Sequence, residues 1–108
     1  MTVNELAKLP GISAVCLPSP DRVIDGAYMG DLLSWVMGRA GADNIWITIM
    51  SNLNIVAVAT LADVSCILLA EGVTPDAETV ELSRSKGVNI LTAESSAYEL
   101  AKMLSGII

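Results

Sequence analysis

The apolar positions of residues 44–70 change their spacing twice, which divides this stretch into three elements. Residues 45–49 (IWITI) are β-branched or aromatic, which is the composition of a strand. From Leu53 onward, apolar residues recur at intervals of three and four, as on a helical face, and residues 66–70 (CILLA) form a short continuous apolar run. The stretch therefore predicts a strand, a helix and a second strand, joined as one right-handed crossover unit.

A membrane-spanning helix is the alternative interpretation of this stretch, because a span needs about 20 consecutive apolar residues. Asn54 and Asp63 interrupt the apolar run. A charged residue at the centre of a bilayer costs about 2.5–3.5 kcal/mol on insertion scales. The change of period also disagrees with one continuous helix, so we expect a buried core here.

Capping residues and apolar stripes predict the remaining elements of the chain. Thr2 and Ser96 each stand three residues before a glutamate, as in a capping box, and Asp31 and Thr74 fit helix N-caps. The predicted helices cover residues 2–9, 32–40, 53–64, 75–86 and 96–105, and the predicted strands cover residues 13–17, 27–29, 45–49, 66–70 and 88–92. This alternation predicts a single α/β domain over residues 1–108, with a mainly parallel sheet of four or five strands and helices on both faces.

The helix predicted from Leu53 is apolar on two faces, so it should be covered on both. The stripe of Leu53, Val56, Ala57 and Leu61 is expected to face the sheet. A second subunit is expected to cover the opposite face. The predicted dimer interface consists of Ile55, Val58, Ala59 and Ala62.

Composition supports the expectation of a covered apolar surface. Hydrophobic residues make up 53% of the 108 positions and charged residues only 17%, against about 25% charged in an average domain. The net charge is −6, and the six basic residues are scattered along the chain. Nucleic acids and anionic membranes both require concentrated positive charge, so we expect neither as a partner.

The two cysteines, Cys16 and Cys66, lie among apolar residues and form no CxxC motif. Buried free cysteines usually act as small hydrophobic side chains, and we expect structural thiols here. The first residues show neither a basic start nor a long apolar segment, so no signal peptide is predicted. These features predict a cytoplasmic protein in a reducing compartment.

No catalytic, metal-binding or cofactor-binding motif is evident. The chain has no histidine, which removes the commonest general base and metal ligand, and it has neither a P-loop nor a GxGxxG motif. Ligands of open α/β sheets bind where parallel strands end and helices begin. The candidate ligand-binding residues at such junctions are Asp31, Thr48, Ser51, Asn52 and Asn54. The alternative role for these side chains is to cap the amides of a buried helix.

Three stretches resemble the DRTGG domain family across about residues 25–105: GAYMGDLLSWVM (26–37), IWITIMSNLNIVAVATLADVSCILLAEG (45–72) and GVNILTAESSAYELAKML (87–104). The literal DRTGG string is absent, and the resemblance lies in spacing and pattern. It implies a fold similar to the N-terminal domain of HPr kinase/phosphorylase. It also implies dimerisation and a regulatory or assembling role without catalysis.

The sequence thus predicts a non-catalytic regulatory or assembly domain that forms a homodimer and binds an adenine nucleotide or a partner protein. A small enzyme or phosphoryl carrier is the alternative hypothesis. It would use Asp31, Thr48 or Asn54 at the edge of the sheet.

Overall fold

In the computed structural model, which describes residues 1–108, five short strands form one sheet. They are β1 (Ile12–Cys16), β2 (Gly26–Met29), β3 (Asn44–Thr48), β4 (Cys66–Leu69) and β5 (Ile90–Ala93). Their spatial order is β1-β5-β4-β3-β2, and only the β1–β5 pair is antiparallel. The predicted α/β fold with a mainly parallel sheet is confirmed. The sheet is mixed because β1 runs against its neighbour.

Five helices cover the sheet from both sides, as predicted. They are α1 (Val3–Leu6), α2 (Leu33–Arg39), α3 (Asn54–Ala62), α4 (Ala77–Lys86) and α5 (Ala97–Leu104). Buried residues of α1 and α5 form one core cluster with one face of the sheet, and α2, α3 and α4 pack on the other face. The longest helix, α4, has 10 residues, and none is long and apolar enough to cross a bilayer.

The inner strand β3, between β4 and β2, contributes to both core clusters because its side chains alternate between the two faces. Ile45 and Ile47 point into the cluster of α1 and α5, whereas Trp46 points into the cluster of α2, α3 and α4. All three side chains are buried. The indole Nε1 of Trp46 donates to the carbonyl oxygen of Gly30 at 2.9 Å, so the one polar atom of this ring is satisfied.

The buried side chain of Asn89 holds the long connection between β1 and β2 against the sheet. Its amide nitrogen donates to the carbonyl oxygens of Ser19 at 2.7 Å and Ser65 at 2.9 Å. Its amide oxygen accepts from the Ser19 N–H at 2.9 Å. Two of these bonds satisfy main-chain groups of a connection that has no regular structure of its own, and the third satisfies the carbonyl of Ser65 just before β4.

Two of the four predicted helix starts use the predicted capping residues. Thr2 and Glu5 form the predicted capping box, and Ser96 accepts from the amide at the third position of α5. For α4 the predicted N-cap, Thr74, is wrong. Asp76 caps this helix by accepting from the Thr79 N–H at 2.8 Å, and that hydrogen bond lowers the pKa of the Asp76 carboxyl.

The face of α3 that was predicted to meet a second subunit is buried within the single chain, so that prediction is wrong. Ile55, Val58 and Ala59 are 0%, 5% and 2% exposed, and Ala62 is half-buried. The reason is that α3 lies between α2 and α4, whose side chains cover its flanks. The outward side of α3 instead includes Leu61, which is 73% exposed.

Candidate functional site

The carboxyl ends of the four parallel strands meet at one edge of the sheet, where open α/β folds bind their ligands. The segments that leave this edge cover residues 30–32, 49–53, 70–76 and 94–96. All five predicted ligand-binding residues belong to these segments or adjoin them. This edge is therefore the candidate functional site on topological grounds.

Asp31 and Thr48 are brought together at this edge, but they bond to each other. Asp31 Oδ1 accepts from Thr48 Oγ1 at 2.7 Å and from the Ile49 N–H at 3.1 Å. Thr48 Oγ1 in turn accepts from the Met50 N–H at 3.2 Å. The predicted N-cap role of Asp31 is wrong, because α2 begins after Leu32 without a side-chain cap. The carboxylate ties the end of β2 to the end of β3 instead.

The junction between β3 and α3 also uses its polar groups internally. Asn52 Oδ1 accepts from the Asn54 N–H at 3.0 Å, and so satisfies an amide at the start of α3 that has no partner within the helix. The Ser51 carbonyl oxygen accepts a 3.5 Å hydrogen bond from Thr79 of α4. The Asn54 side chain is exposed in the first turn of α3. Asn52 therefore has the capping role that was the alternative to ligand binding.

Glu71 and Glu94 join Asp31 at this edge, and no Lys or Arg occurs in its four segments. The loops after β4 and β5 are bonded together, since Glu71 N–H donates to Ser95 O and Gly72 N–H donates to Ala93 O, both at 2.9 Å. The edge therefore carries excess negative charge. Neither glutamate was predicted, because a lone acid in a loop carries no local signal of its neighbours in space.

A shallow groove of about 350 Å³ lies between α3 and α4, on the helical surface of the domain. It is lined by Val56, Ala57, Thr60, Leu61, Leu82 and Lys86. None of the predicted ligand-binding residues lines this groove. Its lining is mainly apolar, with the single charge of Lys86.

Arg22 forms an ion-pair cluster at the opposite, amino-terminal edge of the parallel strands. Its guanidinium contacts Asp43 Oδ1 at 2.9 Å and Asp63 Oδ1 at 3.1 Å, and it also donates to the Asp63 carbonyl oxygen at 2.9 Å. Both aspartates have positive φ angles, 65° and 59°. This cluster stabilises two tight turns, and its partners are too far apart in sequence to be recognised from the sequence.

The two cysteines are free and buried. Burial raises the pKa of the Cys66 thiol to about 12. A thiol with this pKa is almost fully protonated at neutral pH and is a poor nucleophile. No group of three or more His, Cys, Asp or Glu side chains is arranged to hold a metal ion.

Comparison with known proteins relates this chain to a protein family and to the fold of a solved structure. The model of the DRTGG domain family matches residues 31–107. The solved structure contains the CBS and DRTGG domains of the regulatory region of Clostridium perfringens pyrophosphatase, complexed with its activator diadenosine tetraphosphate. It superposes with a TM-score of 0.64 at 18% identity, covering 86% of this chain and 41% of that chain. A comparison with curated proteins gives no match.

Proposed function

This chain belongs to the DRTGG domain family, and on that premise we propose that it is a non-catalytic regulatory domain that acts through assembly. It associates with a second copy of itself and with a partner protein. The structural neighbour supports a regulatory role, because there a domain of this fold is part of the regulatory region of a larger enzyme.

The observation that carries this proposal is the closed hydrogen bonding at the carboxyl edge of the sheet. Asp31, Thr48 and Asn52 stand where an enzyme of this topology would hold its reacting groups, and each is bonded to a neighbouring residue of the same edge. These side chains stabilise the junctions between strands and helices. Because these side chains are occupied by hydrogen bonds within the edge, an assembly role is favoured over the alternative of a small enzyme or phosphoryl carrier.

A protein partner fits the charge of this edge better than a nucleotide does. Phosphates bound there would approach Asp31, Glu71 and Glu94 with no Lys or Arg in the same segments to offset the repulsion. The diadenosine tetraphosphate of the structural neighbour is bound to a chain that also contains CBS domains. We therefore propose that recognition by this domain involves protein surfaces.

Exposed apolar side chains supply surface for such assembly. Met29, Leu32, Trp35 and Ile49 lie at or next to β2 and are each about half exposed. Large apolar residues that remain exposed together are typical of protein–protein interaction sites.

Sedimentation velocity from low micromolar to near-millimolar concentration tests the assembly role, and we expect the mean mass to rise with concentration. A parallel thermal-shift series with adenine nucleotides tests whether the domain binds a nucleotide rather than a protein partner. A nucleotide at about 100 times its Kd would add roughly 2.7 kcal/mol of stability, and we expect no such shift. Intact mass after incubation with ATP or acetyl phosphate tests the alternative hypothesis. Turnover or a covalent adduct would contradict the proposal.

A further inference from the structure

The outer edge of β2 has main-chain groups without a protein partner. The Gly30 N–H donates to Ile47 O at 3.2 Å, toward β3. Because main-chain groups alternate in direction along a strand, those of Tyr28 also point toward β3, whereas those of Ala27 and Met29 point away from it. β2 is the last strand of the sheet, and no hydrogen bond joins residues 26–29 to any element except β3. Two N–H groups and two carbonyl groups are therefore free at this edge.

The two edges of the sheet differ in how they resist pairing with another strand. At the β1 edge, the register with β5 shifts between Ala14 and Cys16, and Pro18 and Pro20 follow the strand. Bulges and prolines are the usual means of blocking edge pairing. β2 (GAYM) has an unbroken register with β3 and contains neither a charge nor a proline. It is the one edge on which a further strand can add.

The acids that flank β2 are turned away from this edge. Asp25 Oδ1 accepts from the Asn44 side-chain amide at 3.3 Å, and Asp31 is held by Thr48 and the Ile49 N–H. Both carboxylates therefore lie toward β3. A second copy of this acidic chain can approach the β2 edge without placing these like charges against each other.

Apolar side chains surround the edge on both sides. Met29 is the last residue of β2, Ile49 follows the neighbouring strand, and Leu32 and Trp35 belong to the segment that follows β2. Half exposed as they are, they offer on the order of 400 Å² of surface per chain. Together with the strand backbone, two such surfaces bury about 1,000 Å², near the lower limit for a specific interface. A reversible dimer is the expected outcome.

We propose that two copies of this chain pair antiparallel along β2, so that two five-stranded sheets become one continuous sheet. This inference rests on the proposed assembly function and identifies its surface. A two-fold axis perpendicular to the sheet keeps every side chain on its own face, so one residue must lie opposite its own copy. Because Ala27 and Met29 carry the free groups, the register that pairs all of them places Tyr28 opposite its own copy. Ala27 of each copy then pairs with Met29 of the other through hydrogen bonds.

Cross-linking between two single variants, Ala27→Cys and Met29→Cys, tests this geometry directly. Residues facing each other in a hydrogen-bonded antiparallel pair have Cα atoms about 5.5 Å apart, within the range of about 4.4–6.8 Å that a disulfide requires. Mild oxidation of an equimolar mixture should form a covalent heterodimer. In the matched control, Ala14→Cys replaces Ala27→Cys; Ala14 is exposed on the opposite edge strand, and no heterodimer should form. The native thiols are buried and do not compete. Equal cross-linking in the two mixtures would overturn the inference.

The double variant Ala27→Glu/Met29→Glu provides a second test in solution, with Ser13→Glu/Ala14→Glu as its control on the β1 edge. Ala27, Met29, Ser13 and Ala14 are exposed, so both variants should melt like the wild type. Only the β2 variant should lose the concentration-dependent rise in sedimentation. A wild-type dimer that survives this variant, with no cross-link between positions 27 and 29, would refute the β2 edge while leaving self-assembly intact. A wild type that stays monomeric at every concentration would refute both.

Discussion

Substitution of Val58 by Asp tests whether the inner face of α3 belongs to the core of a single chain. Val58 is buried in the cluster that contains Trp46 and Ile67. The substitution removes a buried side chain worth about 1.5–3 kcal/mol. It also buries a polar group without a partner, at a further cost of about 1–3 kcal/mol. The sum, about 2.5–6 kcal/mol, is a large part of the 5–15 kcal/mol expected for a domain of this size.

Denaturant unfolding followed by circular dichroism measures this loss, and sedimentation of the same samples reports the association state. Leu61→Asp is the matched control, because this residue on the same helix points to solvent. The control should change the free energy of unfolding by no more than about 0.5 kcal/mol. A Val58→Asp chain that unfolds like the wild type but dissociates from a dimer would refute the packing described for α3.

Three further predictions concern groups outside the proposed interface. Asn89→Asp places a buried carboxylate against two carbonyl oxygens and should cost about 3–5 kcal/mol in unfolding experiments, whereas the exposed Asn4→Asp should cost almost nothing; equal costs would contradict the hydrogen-bond assignment. Gly72→Ala should cost about 1–2 kcal/mol, because Gly72 has a φ of 72° and a Cβ would lie 2.7 Å from Glu94 Oε2. Adding Glu94→Ala to this variant should recover only a minor part of the lost free energy of unfolding. Full recovery would show that the contact with Glu94, not the backbone angle, sets the cost. Cys66, whose thiol pKa is raised to about 12, should resist alkylation at pH 8 in the native protein and react on denaturation; fast native alkylation would contradict its burial.

Strand composition was sufficient to predict the sheet, because residues such as Ile45, Trp46 and Ile47 are buried on both sides and leave no other interpretation. The buried and exposed faces of the helices were harder to predict. α3 is apolar in almost every direction, so its sequence does not distinguish the sheet side from the solvent side. Only the positions of α2 and α4 on its flanks decide that Val58 is buried and Leu61 exposed.

Topology predicted that the candidate ligand-binding residues lie together at one edge of the sheet, yet the roles of these residues depend on contacts between distant segments. Asp31 satisfies the local rule for an N-cap, but Thr48 and the Ile49 amide, at the end of another strand, bind its carboxylate instead. The open edge of β2 could not be predicted at all. Strand order is a property of the whole sheet, and the four residues of β2 do not indicate that they lie at its end.

Amide hydrogen exchange along β2 at low and high protein concentration tests the central claim of assembly through this strand most directly. The Ala27 and Met29 amides point to the open edge, whereas the Tyr28 amide points toward β3. We predict that Ala27 and Met29 exchange rapidly in dilute solution and become protected as the concentration rises, while Tyr28 is protected throughout. Rapid exchange of Ala27 and Met29 at every concentration, in a sample whose mass shows a dimer, would contradict this account.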